Sequence, residues 1–165
     1  MKEAIQTLIT SDKMAHAFEY LKQDEAHTID QQIELVQISS FSPFEEKRAI
    51  RFKELLTEAG LDPVMDEVHN VYAHIHGTGN GPTLYVSAHL DTVFPPETPL
   101  PVKREGTKIY SPGIGDDTRG LAEILTLARA IKESGLKPVG DIIIGGNVGE
   151  EGLGDLRGMR HFFSK

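Results

Sequence analysis

Three short segments of the sequence carry side chains whose types and spacing could bind a metal ion or move a proton. The first contains His89 and Asp91, the second the adjacent pair Asp116–Asp117, and the third the adjacent pair Glu150–Glu151. On a strand, His89 and Asp91 project to the same face, so the carboxylate can orient the imidazole as a metal ligand. Each segment also has a structural explanation: a hydrogen-bonded pair at a strand end, acidic capping of a helix, and a solvated acidic loop.

Together the three segments favour metal chemistry over these separate explanations. The imidazole of His89 and the four carboxylates of the two acidic pairs, near the ends of predicted strands, form a cluster whose negative charge requires a cation or a proton. Nitrogen and oxygen ligands without sulfur suit zinc, cobalt or manganese better than copper(I). The glycines around Glu150–Glu151 are also typical of a phosphate-binding loop, but the lysine and the hydroxyl residue of that motif are absent. The sequence therefore predicts a divalent metal site.

The other six histidines are not predicted to be ligands. His74 and His76 share one face of a predicted strand, and we expect both to be exposed. The remaining four have no acidic partner at a convincing spacing in the sequence: His16, His27, His69 and His161.

Composition excludes several classes of function. The 165 residues include 17 Lys and Arg against 25 Asp and Glu, a net charge of −8, so no basic stripe is available to bind nucleic acid. Cysteine is absent, which excludes disulfides, Cys-ligated zinc, iron–sulfur clusters and thiol nucleophiles. No apolar run approaches the roughly 20 residues that span a bilayer, and the N-terminus lacks the pattern of a signal peptide. These observations predict a cytoplasmic protein without a nucleic-acid or membrane partner.

Apolar periodicity predicts the elements that position the three segments. Helical spacing dominates the first 60 residues, where Ser42-Pro43-Phe44-Glu45 has the form of a capping box and Gly60 that of a helix stop. Alternation with a period of two then predicts two neighbouring strands, over residues 71–76 and 83–89, joined by a glycine-rich turn.

The second half of the sequence continues with alternating helices and strands. The proline-rich residues 93–101 are predicted to be irregular, and residues 108–110 to form a short strand. An amphipathic helix closed by Gly135 follows, then a buried central strand over residues 141–148 and a helix over residues 156–163. This alternation predicts an α/β layered domain.

The three segments resemble the metal motifs of the M20 metallopeptidases, a family that includes tripeptidases, carboxypeptidases, aminoacylases and deacylases. The residues around His89 and Asp91 are similar to the first metal motif, and Gly-Ile-Gly-Asp116-Asp117 to the motif of the bridging aspartate. Gly-Glu150-Glu151-Gly is similar to the glutamate pair of the family. The resemblance extends from about Ile29 to the end of the chain.

The resemblance implies a role for each of these residues. His89 would ligate one metal ion, Glu151 would ligate a second, and Asp116 would bridge both. Two further residues would be catalytic: Asp91 would orient His89, and Glu150 would act as general base and acid. Two Zn²⁺ ions are expected, with Co²⁺ or Mn²⁺ as alternatives. A cis peptide bond after the bridging aspartate is common in the family, which predicts one between Asp116 and Asp117.

The resemblance also implies a fold and a domain organisation. The expected fold is a three-layer α/β domain of the zinc-exopeptidase type, also called phosphorylase/hydrolase-like, truncated at its C-terminus. Residues 1–165 would form part of the catalytic domain, with residues 1–28 as an N-terminal helical extension. Family members are longer: they add an acidic ligand, a late histidine and a lid or dimerisation domain, which we expect to be absent here. Thr118-Arg119-Gly120 also departs from the lysine-containing sequence that many members carry after the aspartate pair.

The implied function is the hydrolysis of amide bonds in short peptides by a two-metal mechanism. Residues 149–158 are most similar to the tripeptidase branch of the family, which favours a short peptide as substrate. The alternatives are an N-acyl amino acid substrate, as for a deacylase or aminoacylase, and a non-catalytic fragment that retains the fold. Because the ligand set would be incomplete, we expect weak activity or none, and an open sheet edge predicts self-association into homo-oligomers.

Overall fold

Helices and strands alternate along the chain as the apolar periodicity predicts. The computed structural model describes residues 2–164, so Met1 and Lys165, the two ends of the predicted domain, lie outside the described residues. The α-helices are α1 (Lys2–Ile9), α2 (Asp12–Gln23), α3 (Glu25–Val36), α4 (Glu46–Glu58), α5 (Thr118–Ser134) and α6 (Arg157–Phe162). The strands are β1 (Val64–Met65), β2 (Val71–Ile75), β3 (Leu84–His89), β4 (Lys103–Glu105), β5 (Lys108–Tyr110) and β6 (Ile142–Asn147).

The main sheet has the strand order β1-β2-β6-β3, and β4 and β5 form a separate hairpin. Strand β6 pairs antiparallel with β2 and parallel with β3, which confirms that it is a central strand. The prediction that β2 and β3 are neighbours is wrong, because β6 lies between them. Its apolar residues Ile142–Ile144 are buried best when both edges of the strand are paired. The glycine-rich turn meanwhile bonds to the loop before β6, where Thr78 N donates to Pro138 O and Gly79 N donates to Val139 O.

Helices lie on both faces of the sheet, although the short α6 covers only part of its face, so the predicted three-layer α/β architecture is confirmed. On one face, α4 and α5 pack against the strands, and the fully buried residues Phe52, Leu56, Leu121 and Leu125 contribute to a single core. On the other face, Phe162 of α6 stacks on Tyr85 of β3 with 4.4 Å between ring centroids. Phe162 also contacts Tyr72 of β2 edge-on at 5.2 Å. No described helix combines the length and the apolar composition that crossing a bilayer requires.

A buried ion pair joins the N-terminal helices to α5. The Arg129 guanidinium lies 2.5 Å from Asp24 Oδ2, and Thr126 Oγ1 donates to the same oxygen at 2.7 Å. A second nitrogen of Arg129 donates to Gln31 Oε1 at 2.8 Å. Removing one partner of a buried pair typically costs about 3–5 kcal/mol, so this contact firmly fixes α2 and α3 against α5.

The predicted capping box at Ser42–Glu45 is wrong. The Ser42–Pro43 peptide bond is cis, and Phe44 N donates to Phe41 O in a turn that precedes the helix. Helix α4 begins only at Glu46, and the Glu45 side chain makes no capping hydrogen bond. The Glu45 carboxylate is instead fully buried and bonds to residues more than 100 positions away. The predicted stops are confirmed, since Gly60 and Gly135 have φ values of 82° and 63°.

Strand β3 forms one edge of the main sheet, and we predict that this edge associates with a second molecule. Among residues 2–164, β3 pairs with β6 alone, and Leu84 at its start is 56 % exposed. Unpaired strand edges favour pairing between molecules, and a lysine on such an edge prevents it. Light scattering at high protein concentration should therefore detect oligomers, which Leu84→Lys should reduce and Val139→Lys, in an exposed loop, should not. A purely monomeric wild-type chain would contradict this prediction.

Candidate metal centre

The three chemically interesting segments meet at one edge of the main sheet. His89 is the last residue of β3 and lies opposite Asn147, the last residue of the parallel strand β6. Glu150 and Glu151 follow β6, and Asp116 precedes α5. Ligands bind outside the carboxyl ends of strands in open α/β sheets, which is the position that the sequence predicts for this site.

Three predicted ligands come together around one point. The ligand atoms of His89, Asp116 and Glu151 all lie within 4.8 Å of one another, and we call these residues the trio. Within the trio, His89 Nε2 lies 2.8 Å from Asp116 Oδ1. The imidazole is buried, whereas the Asp116 side chain is 78 % exposed, so a bound ion would be open to solvent on one side. Glu150 lies just outside the trio, with Oε2 4.0 Å from His89 Nε2.

Asp91 holds two parts of the site through different atoms. Its fully buried carboxylate accepts hydrogen bonds from the backbone N–H groups of Glu150 at 3.0 Å and Glu151 at 2.8 Å. His89 Nδ1 lies 3.0 Å from the Asp91 backbone oxygen and 3.7 Å from the nearer carboxylate oxygen. The carbonyl, rather than the predicted carboxylate, therefore makes the shorter contact with the ring. When the proton is on Nδ1 and is donated to this carbonyl, the Nε2 lone pair faces the carboxylates of Asp116 and Glu151.

The adjacent aspartates divide between the site and the helix. The Asp117 carboxylate accepts from Gly120 N at the start of α5 and from His89 N, both at 3.1 Å. Capping of the helix, the structural explanation for this pair, therefore holds for Asp117 but not for Asp116. Burial raises the pKa of the Asp117 carboxyl group, against the effect of these two hydrogen bonds. The Asp116–Asp117 peptide bond is cis, as the resemblance implies.

The electrostatics of the trio favour a cation. Burial and the charge of Asp116 raise the pKa of Glu151, which shows that negative charge is crowded here. Burial opposes protonation of His89, but the Asp116 hydrogen bond and the charges of Asp117 and Asp91 raise its pKa above the ordinary value. A divalent ion would compensate the same carboxylates more fully than this one proton. One imidazole and two carboxylates also form a donor set that zinc binds in proteins, so the residues fit a metal.

Two cavities flank the trio and share Glu151 in their walls. The first has a volume of about 510 Å³ and is lined partly by Phe41, Pro43 and Leu153. The second, of about 310 Å³, includes Asp116 and Ser111. The first offers a substrate mainly apolar walls beside Glu151, and the second adjoins two of the three residues of the trio.

Sequence reasoning missed two buried charged residues beside the site, Glu45 and Arg48. Arg48 donates to the backbone oxygens of Leu90 and Ile38, and burial lowers its pKa to about 10 although the nearby Asp91 opposes this. Both residues lie at the start of α4, where a charged residue is typical of an exposed surface. Only their distant partners, which a local pattern does not reveal, distinguish Glu45 and Arg48 from such exposed residues.

The prediction that four histidines have no acidic partner at a convincing spacing is wrong for His27, and two of the others find acidic partners far along the chain. His161 Nε2 lies 3.1 Å from Glu67 Oε1, and His27 Nδ1 lies 3.2 Å from Asp24 Oδ1. His69 lies 3.9 Å from Glu46. The partners of His69 and His161 come from other elements, which spacing along the chain cannot show. The prediction that His74 and His76 are exposed is confirmed.

Comparison with known proteins finds a family match in the second half of the chain. A model of peptidase family M20/M25/M40 matches residues 85–165, which include all five predicted site residues. Over these residues, just under half of the chain, the sequence is therefore similar to the M20 peptidases. The M20 match is supported by carboxypeptidase G2 of Pseudomonas sp. (strain RS-16), which is 38 % identical over 84 residues, covering 50 % of this chain and 20 % of that protein.

Two solved M20-like structures share the fold. Aminopeptidase PepT from Bacillus cereus superposes with a TM-score of 0.63 at 27 % identity, covering 74 % of this chain and 36 % of PepT. A tripeptidase from Staphylococcus aureus superposes with a TM-score of 0.62 at 32 % identity, covering 76 % of this chain and 37 % of that chain. The chain therefore spans between a fifth and just over a third of the length of these three proteins.

We predict that Asp91→Asn destabilises the chain. The amide would present a donor where the carboxylate now accepts the N–H groups of Glu150 and Glu151, and the nearby charge of Arg48 would lose its compensation. Leaving one buried donor unsatisfied costs about 1–3 kcal/mol. Urea unfolding should therefore show a loss of this size.

Asp155→Asn is the matched control, because the Asp155 side chain is 79 % exposed. Its effect on the free energy of unfolding should stay within about 0.5 kcal/mol. Equal effects of the two substitutions would contradict the proposed importance of Asp91.

Proposed function

We propose that this chain is the metal-binding part of an M20-type hydrolase that cleaves amide bonds in short peptides. The observation that carries the proposal is the convergence of the trio, with Glu150 beside it, at the carboxyl end of the sheet. The similarity to a tripeptidase and to an aminopeptidase supports a short peptide as the substrate.

His89, Asp116 and Glu151 would hold the metal, which we propose to be Zn²⁺, with Co²⁺ or Mn²⁺ as alternatives. In a complete two-ion site, His89 and Asp116 would hold one ion, and Asp116 and Glu151 would hold the other. When bound, the metal polarises the scissile carbonyl group and lowers the pKa of a water molecule. The exposed Asp116 carboxylate loses conformational freedom when it binds an ion, which weakens binding. In the two-ion arrangement each ion would also have two protein ligands, fewer than the three that catalytic zinc sites usually have. We therefore propose that this chain alone holds metal weakly.

Glu150 is the proposed general base. Its side chain is 44 % exposed and reaches to within 4.0 Å of His89 Nε2, so Oε2 can contact a water molecule at the trio. Glu150 takes the proton of this water at its carboxylate and delivers it to the amine of the leaving product. The backbone hydrogen bonds to Asp91 fix both glutamates, so that Glu151 joins the trio while Glu150 stays outside it.

We predict that His89→Ala abolishes zinc binding. Titration calorimetry of the 165-residue chain should detect weak binding by the wild type and none by the variant, because the imidazole is the buried ligand of the trio. His74→Ala, which removes an exposed strand histidine, should bind as the wild type does. Unchanged binding by His89→Ala would contradict the proposed site.

Zinc affinity should also fall as the pH is lowered from about 8 to about 6. The pKa of His89 is raised above its ordinary value of 6.5, so the metal-free imidazole is largely protonated at pH 6 and zinc must displace that proton. Calorimetry in buffers with different ionisation enthalpies would measure this proton release. An affinity that is constant over this pH range would show that His89 does not ligate the ion.

We predict that Glu150→Gln loses turnover but retains zinc. Glutamine has the shape of glutamate but cannot accept the proton, and loss of a general base costs about 10²–10⁴-fold in rate. Hydrolysis of a tripeptide and of an N-acyl amino acid should be measured with protein in excess over substrate, since the expected rates are low. Glu97→Gln, at an exposed position away from the trio, is the matched control. No turnover by zinc-loaded wild type would instead favour the non-catalytic alternative.

A further inference from the structure

Side chains from other elements hold the backbone that carries the glutamate pair. Val148 N donates to Asn70 Oδ1 at 3.1 Å, and Gly149 N donates to Glu45 Oε1 at 3.2 Å. The next two N–H groups bond to Asp91, as described above. Four consecutive backbone donors after β6 therefore end on side-chain oxygens, so the path of this loop depends on three side chains rather than on the sheet.

Glu45 contributes to this arrangement together with Arg157 of α6. The Glu45 carboxylate is fully buried, and Arg157 bonds to both of its oxygens, with Nη2 at 2.5 Å and Nη1 at 3.2 Å. The arginine also lies against the loop, since a Cβ atom at Gly149 would be 2.5 Å from Arg157 Nη1. Gly149 has a φ of +66°, which a residue with a side chain rarely adopts. Because Gly149 has no side chain, the Arg157 guanidinium can pack directly against the loop backbone.

We propose that the Glu45–Arg157 pair is a positioning device for the Glu150–Glu151 pair. Neither residue belongs to the trio, and the pair acts through Gly149, the residue next to the proposed base. A buried ion pair with two hydrogen bonds is a rigid support, and the outer contacts of a metal site set the orientation of its ligands. The effect on the metal site rests on the proposed function, whereas the effect on the loop does not.

The competing explanation is that the pair only stabilises the fold. The Asp24–Arg129 pair provides the matched control, because it is also a buried carboxylate bound by an arginine at 2.5 Å. It joins α2 and α3 to α5 and makes no contact with residues 148–151 in the described hydrogen bonds. Substitutions at the two carboxylates should therefore destabilise the chain similarly but affect the loop differently.

Amide hydrogen exchange of the metal-free chain, measured residue by residue by NMR, tests the proposal. Glu45→Gln has the same shape but faces Arg157 with an amide donor, so we expect exchange at Gly149, Glu150 and Glu151 to become about tenfold faster. Exchange within β6 should change much less. Asp24→Asn should leave exchange at residues 149–151 as in the wild type, relative to β6.

Glu45→Ala, which removes the acceptor completely, should accelerate loop exchange further, and the smaller effect of Glu45→Gln would then be a partial rescue. Unchanged loop exchange in Glu45→Gln, or an equal rise throughout β6 and the loop, would overturn the proposal. Should the alanine variant fail to fold, the comparison of Glu45→Gln with Asp24→Asn still decides between the two explanations.

Zinc titration separates this proposal from the proposed function. Glu45→Gln should weaken zinc binding by about 10-fold or more, as loss of an outer contact of a metal site does, while Asp24→Asn should not. Zinc affinity that is equal in Glu45→Gln and wild type would overturn the effect on the site. A wild-type chain that binds no zinc would contradict the proposed function alone, because the exchange measurement does not involve metal.

Discussion

The buried carboxylate of Asp91 is the constraint on which the site depends. A charge that is taken out of water needs hydrogen-bond donors and a countercharge, and it finds them in two backbone N–H groups after β6 and in the nearby Arg48. Because Asp91 lies two residues after the end of β3, it fixes the ends of two parallel strands relative to each other. Its own carbonyl orients the His89 ring. The imidazole and the glutamate pair therefore share one support.

Each acidic pair in the site divides its two residues between different tasks. Asp117 caps α5 and holds the backbone of His89, while Asp116 remains exposed and joins the trio. Glu151 joins the trio as well, and Glu150 lies beside it. Successive side chains diverge, so two adjacent carboxylates can meet different partners without competing for one position. Each acidic pair can therefore supply one metal ligand and one residue with a different role.

The sequence was most informative where local chemistry determines structure. Amphipathic spacing predicts α5, the apolar run of residues 142–144 predicts a central strand, and polar residues at strand ends predict where the site lies. Local reasoning failed where a distant partner decides the outcome. Glu45 has the sequence context of a helix cap, but its partners Gly149 and Arg157 lie over 100 residues away. The pairing of β6 between β2 and β3 is likewise a long-range choice that no turn signal reveals.

The position of β6 has a consequence for synthesis of the protein on the ribosome. Strand β6 comes last of the described strands but lies in the middle of the sheet, so β2 and β3 emerge about 60 residues before their shared partner. During translation both strands have open edges at once, and neither can bond to the other across the missing strand. The nascent chain is therefore most vulnerable to misassembly in the interval before residue 147 leaves the ribosome.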